Sequence, residues 1–269
     1  MRLRLLLVLI CVGPLIIACV QSVDGPVTPA NAERFVKLRG YEFNEQGFFG
    51  AAAARDVQVV NAFLIGGFNP NTQDNRDGRT ALISAAARGD DTIVKVLVDG
   101  HADINVRDHS AYTALFHALD ARYDEIAELI VKQPDLDLTA RGKNGITALM
   151  SFVWRDRADI VKSLLDRGAD VSAQDNDGDT ALHGAGETGN VEIIDMLIAK
   201  GSDVNARNKV GGTPLMWAAV YGNEKAVEAL LKHHADPSAK DEDGLTALDW
   251  AVKNKRIKTV EILRSAKRQ

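Results

Sequence analysis

Cysteine is nearly missing from this chain of 269 residues: there are two, Cys11 and Cys19, and none follows. The remainder therefore has no thiol for a disulfide framework or for nucleophilic catalysis. A Gly-rich phosphate loop is absent, and so is a G-x-S-x-G elbow. Histidine is sparse, at His101, His109, His117, His183, His233 and His234. The adjacent pair His233–His234 has no third ligand at useful spacing, so no metal and no cofactor are expected. An excess of basic charge is also lacking. The formal net charge is −5, and removal of residues 1–18 with Arg2 and Arg4 takes it to −7. An acidic chain without a basic stripe excludes nucleic acid as the expected partner. Long apolar runs are confined to LLLVLICVGPLIIACV at residues 5–20, broken by Gly13–Pro14. Sixteen residues are too few to span a bilayer comfortably. Nothing in this inventory argues for a reaction, and no enzyme activity is expected.

What the chain has in abundance is itself. Thr80, Thr113, Thr147, Thr180, Thr213 and Thr246 recur at spacings of 33, 34, 33, 33 and 33 residues, opening phrases such as TALISAAARGD and TPLMWAAVYGN. Such a period marks a solenoid, whose units cannot bury their apolar faces alone and stack on copies of themselves. A Gly usually stands two residues before the Thr (Gly78, Gly145, Gly178, Gly211, Gly244), as a tight turn requires. The Thr is placed to cap a helix. That helix is thin and Ala-rich, and a second, more apolar one follows, with residues such as Ile160 and Leu164 one turn apart. Gly100, Gly168 and Gly201 are expected at its C-terminus. Upstream, FFGAAAARDVQVVNAFLIGGFNPNTQD aligns with the next unit at an offset of 34, with Asn44 as a helix cap. This gives seven units, at about 44–75, 76–108, 109–142, 143–175, 176–208, 209–241 and 242–269.

The Thr phrase resembles the helix-opening motif of the ankyrin repeat, T-P-L-H followed by small residues. That resemblance implies an all-α solenoid of about seven helix-turn-helix units with β-hairpin-like loops. It also implies that the function is binding a protein rather than catalysis. His183 falls on the motif's His, which in the family makes structural hydrogen bonds. In this fold the hairpin tips and the exposed end of the first helix line a concave side. Those positions lie four, three and one residues before the Thr and seven and eight after it. Read across the units, they give His109, Tyr112, Ile146, Trp154, Arg155, Glu187 and Tyr221, with Arg107 and Arg141 preceding their hairpins on the same side. A Trp beside an Arg, with Tyr and Ile close by, has the composition of an interface hot spot. Trp154 and Tyr112 can equally fold back onto neighbouring units as packing.

Units three and four depart from the pattern. Ala111 replaces the turn Gly, Gln133–Pro134 replaces the C-terminal Gly, and the loop gains a residue. Arg122 and Asp156 stand in the inter-helix turn where Gly89, Gly189 and Gly222 stand elsewhere. The last unit crowds Lys253, Lys255, Arg256, Lys258, Arg264, Lys267 and Arg268 around one acid, Glu261. This reads either as a solvated cap or as a docking patch for an anionic partner.

At the N-terminus, Arg2 and Arg4 precede the apolar run, and Ile16-Ile17-Ala18 precede Cys19. The arrangement resembles a bacterial lipoprotein signal, which implies cleavage after residue 18 and lipid on Cys19. Val20 follows, where an Asp would mark inner-membrane retention. The outer membrane, facing the periplasm, is therefore expected. Residues 19–43 read as a Pro-containing tether and a short helix, and 44–269 as the repeat domain. The expected molecule is a monomer that binds a protein, as inhibitor or immunity protein of a toxin or enzyme acting in the periplasm. The alternatives are support of a periplasmic antioxidant enzyme and a structural envelope scaffold.

Overall fold

The computed structural model describes residues 25–266, so the signal, Cys19, Lys267 and Arg268 lie outside the described residues. One short helix, α1 (Ala32–Leu38), precedes seven helix pairs. The first helices of the pairs are α2 (Glu45–Ala53), α4 (Ala81–Arg88), α6 (Ala114–Asp120), α8 (Ala148–Trp154), α10 (Ala181–Thr188), α12 (Pro214–Tyr221) and α14 (Ala247–Lys253). The second helices are α3 (Val57–Ile65), α5 (Asp91–Asp99), α7 (Asp124–Val131), α9 (Ala158–Asp166), α11 (Val191–Ala199), α13 (Glu224–Lys232) and α15 (Ile257–Ala266). Among the described residues no strand forms, and no helix is long and apolar enough to cross a membrane. First helices stack mainly on first helices and second on second, which makes two helical layers around one continuous apolar core.

The capping chemistry is local. The hydroxyls of Thr80, Thr147, Thr213 and Thr246 accept the N–H of Ile83, Met150, Met216 and Asp249, satisfying an otherwise orphaned donor. Asn44 does the same for Gly47. Thr180 uses His183 instead: its N–H and Oγ lie 3.1 and 2.9 Å from the buried Nδ1, while Nε2 reaches the Gly212 carbonyl at 3.2 Å. Thr113 makes no side-chain cap, and its Oγ is buried without a hydrogen-bond partner.

Hairpin tips are tied unit to unit through backbone. The N–H groups of His109, Asn176, Lys209 and Glu242 donate to the carbonyls of Asp77, Asn144, Asp177 and Val210 at 2.7–3.0 Å. Among the described residues this ladder skips one rung, between units three and four. There Lys143–Gly145 coils into a 3₁₀ turn with Asn144 at φ 58°. Ala111 takes φ 64°, and Arg122 and Asp156 take φ 61° and 57°, the left-handed conformation that Gly89, Gly189 and Gly222 hold in the inter-helix turns of units two, five and six and that Arg55 and Lys255 hold in units one and seven. Gly100 is the C-cap of α5, as expected; it sits at φ −85°, and the following His101 takes the positive φ, as does His234 in unit six. The corresponding position in unit three is Pro134, whose ring forbids positive φ, so that turn has to be rebuilt.

The same seam is where the helices approach least closely. Five residues after the repeat Thr, the other Thr-bearing units carry Ala85, Ala118, Ala185, Ala218 and Ala251, whereas unit four carries Phe152, fully buried. A benzyl group where a methyl suffices keeps α6 and α8 apart. Arginines of unit four span the gap. Arg155 donates to the Leu119 carbonyl at 2.6 Å and to Asp124 at 3.0 Å, Arg157 pairs with Glu128, and Arg167 donates to the carbonyls of Val131 and Gln133 at 2.6 and 2.8 Å. At the other extreme, α10 and α12 approach most closely. A Cβ on Gly186 would fall 2.6 Å from the Pro214 carbonyl oxygen.

Candidate partner-binding surface

Four residues after each repeat Thr stand Ser84, His117, Ser151, Gly184, Trp217 and Trp250; Ser84, His117, Trp217 and Trp250 are half-buried, whereas Ser151 and Gly184 are buried. The position seven after it lies one turn further along the same face. On units four to seven these two columns and their neighbours build a row of aromatic rings. Trp154, on the last turn of α8, is half-buried and lies across Gly184 of the next unit, where a Cβ would meet its Nε1 at 2.9 Å. Its indole N–H donates to Glu187 Oε2 at 3.2 Å. Beyond Glu187 stands Tyr221, whose phenol pKa is raised, first by burial and then by the neighbouring Glu187 carboxylate. Tyr221 remains 41% exposed and stacks on Trp217, with ring centroids 6.1 Å apart and planes 21° apart. Trp250 continues the row, its N–H donating to Asp241 Oδ2 at 2.7 Å.

The candidates drawn from the sequence thus separate into three groups. Trp154, Glu187 and Tyr221 come together as one continuous row over units four to six. Arg107, His109, Tyr112, Arg141 and Ile146 lie in the hairpin region of units two to four, apart from that row in sequence and in bonding. Arg107 pairs with Asp137 at 3.0 Å, and Arg141 bridges the carbonyls of Gly145 and Gln174 at 2.8 and 2.6 Å. His109 rests on Gly78, and Tyr112 packs beside His117 with centroids 5.6 Å apart. Nearby Asp108 is buried, yet its pKa is lowered. Burial pushes it up, and the hydrogen bonds from His117, Tyr112 and Ser110 outweigh that. Arg155 forms the third group alone. The sequence leaves it free on the surface, whereas the structure turns it toward unit three, into the carbonyls and carboxylate of the seam. Phe152 makes the seam wide enough to need such a bridge.

Trp217 and Trp250 are not among the sequence candidates, because they stand four residues after the Thr, inside the helix-opening phrase. Their signal in the sequence is variability: that column runs from Gly through Ser and His to Trp, while positions one, two and five are nearly constant. Among the described residues no group of three or more His, Cys, Asp and Glu could hold a metal ion, and His233 is engaged with Asp195 at 2.7 Å.

Comparison with known proteins gives one consistent assignment. The family model described as Ankyrin repeats (3 copies) matches residues 48–141, 129–208 and 203–268. A putative ankyrin repeat-containing protein of Treponema pallidum (strain Nichols) is 32% identical over 133 residues, 49% of this chain and 44% of that protein. Neurogenic locus notch homolog protein 1 of Homo sapiens is 30% identical over 113 residues, 42% of this chain and 4% of that protein. The corresponding protein of Danio rerio is 31% identical over 114 residues, 42% of this chain and 5% of that protein. The matched stretch spans less than half the length of each of these relatives.

Proposed function

The chain belongs to the ankyrin-repeat family, and from that premise we propose that it is a non-enzymatic scaffold whose first-helix face binds one protein partner. Ankyrin repeats are a general protein-protein interaction module. The observation that carries the proposal is the row Trp154–Glu187–Tyr221–Trp217. It combines large amphipathic rings held in place by neighbours with exposed edges, the composition from which interface hot spots are built.

The finer reading is an envelope protein anchored by lipid on Cys19 and facing the periplasm, where it blocks a toxin or an enzyme. A stack of rigid helix pairs suits that role because little ordering is lost on docking. Capture from solubilised envelope with the full chain as bait, resolved by mass, tests the scaffold reading. Tyr221→Ala should weaken capture about thirty-fold, a loss of about 2 kcal/mol, with an unchanged melting temperature. Undiminished capture by Tyr221→Ala and by Trp217→Ala would remove this face as the binding site. Cys19→Ser should abolish lipid labelling and move the protein out of the membrane fraction; a variant that still fractionates with membranes defeats the anchor.

A further inference from the structure

We propose that the cleft between units six and seven receives a single large apolar side chain of a protein partner, next to a carboxylate that faces the α14–α15 turn. This deepens the scaffold reading and rests on it. The cleft has a volume of about 310 Å³ and is lined by Val210, Gly212, Met216, Trp217, Val220 and Trp250, with Asn208 and Asp241 at its edge. That is the lower end of ligand pockets, which run roughly 300–1,000 Å³, and suits one Phe, Leu or Met side chain rather than an extended small molecule.

The polar atoms of the wall are already committed. Trp250 N–H is bound to Asp241, and Asn208 Oδ1 accepts the N–H groups of Gly212 and Val210 at 2.7 and 3.2 Å. An occupant therefore meets ring faces and methyl groups, with no unsatisfied donor to match. Trp250 is pinned through its N–H and Trp217 by its stack on Tyr221, so the slot is formed before anything enters it. Val210, at the mouth, is 60% exposed.

Charge fixes the direction of the visitor. The Lys253 ammonium rests on the Trp250 ring, 4.3 Å from its centroid, and among the described residues it meets no carboxylate within ion-pair distance. Lys255 and Arg256, in the α14–α15 turn, extend that positive end, while Glu242 and Asp243 crown the hairpin end. A segment lying through the cleft is therefore oriented, acidic toward Lys253. The acids at the hairpin end oppose nucleic acid and an anionic bilayer.

Titration of the purified full chain with labelled hexapeptides, followed by anisotropy and by tryptophan emission, tests this. The probes are Ser-Gly-Phe-Ser-Asp-Glu, its counterpart ending Lys-Lys, and a version with Ser for Phe. The acidic Phe peptide should bind at least tenfold tighter than either control. Val210→Asp should weaken it about tenfold, and Lys253→Glu should erase the preference for acid over base; both side chains are exposed, and the melting temperature checks the fold. Equal binding of the three peptides, or binding undiminished by Val210→Asp, overturns the cleft. If envelope capture still depends on Tyr221 while the peptides fail, the cleft falls and the scaffold stands. Absence of any captured partner removes the scaffold itself.

Discussion

Trp154 of the fourth unit donates its indole N–H to the carboxylate of Glu187 in the fifth, at 3.2 Å, with its ring laid across Gly184. The contact makes one residue serve two purposes. The indole seals the junction between units, and the edge it leaves exposed joins the aromatic row. Packing and binding, which the sequence leaves as alternatives for Trp154, are not exclusive in this geometry.

The pair Trp154–Gly184 should behave as a coupled unit. Gly184→Ala inserts a methyl group where the indole lies and should destabilise by about 1–3 kcal/mol. Trp154→Ala should cost about 2 kcal/mol, below a fully buried indole because the ring is only half-covered. In the double variant the methyl group finds room, so the losses should sum to clearly less than the two singles. Urea midpoints measure this, and strict additivity would show that the indole does not occupy the Gly184 surface.

At the seam between units three and four, Arg155→Glu should lower stability rather than leave folding untouched. It removes a charged donor from the Leu119 carbonyl and sets like charge beside Asp124. A loss of about 1.5–3 kcal/mol fits a hydrogen bond to a charged group. With Arg167→Ala added, denaturation should separate into two transitions, since repeat arrays are held by nearest-neighbour terms. One sharp unchanged transition would show the seam to be as strong as its neighbours.

Ala111 holds a left-handed conformation at φ 64° and is exposed, so nothing packs on its methyl group to reward the strain. Ala111→Gly should therefore stabilise by about 1 kcal/mol, the relief of strain exceeding the added entropy of the unfolded chain. A lower urea midpoint would contradict this.

Acidity should act through His183. Burial pushes its pKa below the ordinary 6.5, with Asp179 opposing that shift. In the unfolded chain the ring takes its proton near 6.5, and in the folded chain only at lower pH. Stability on this account is lost as pH falls through 6.5 toward the folded value. Asp179, raised first by burial, works in the opposite sense above its ordinary 3.8, because there the folded state holds the extra proton. The urea midpoint of wild type should fall between pH 7.5 and 5.5 more steeply than that of His183→Gln. Parallel slopes would show that His183 does not carry the effect.

The period of the Thr phrase, the cap residues and the apolar spacing of the second helices are local facts of sequence. They suffice for the fold, because each unit repeats the same short-range instructions and stacks on its neighbour. The same locality exposes the strain at Ala111, Arg122 and Asp156, where a turn demands a backbone that these residues dislike. What the sequence alone does not decide is where a long side chain goes once its unit has a neighbour. Arg155 and Trp154 are adjacent in the chain, yet one reaches back to Leu119 and the other forward to Glu187. That choice depends on distances between units. Those distances depend in turn on Phe152 holding one junction open and on Gly184 and Gly186 letting the next ones close. Only the packed stack contains that information, because it arises from side chains about 30 residues apart competing for the same space.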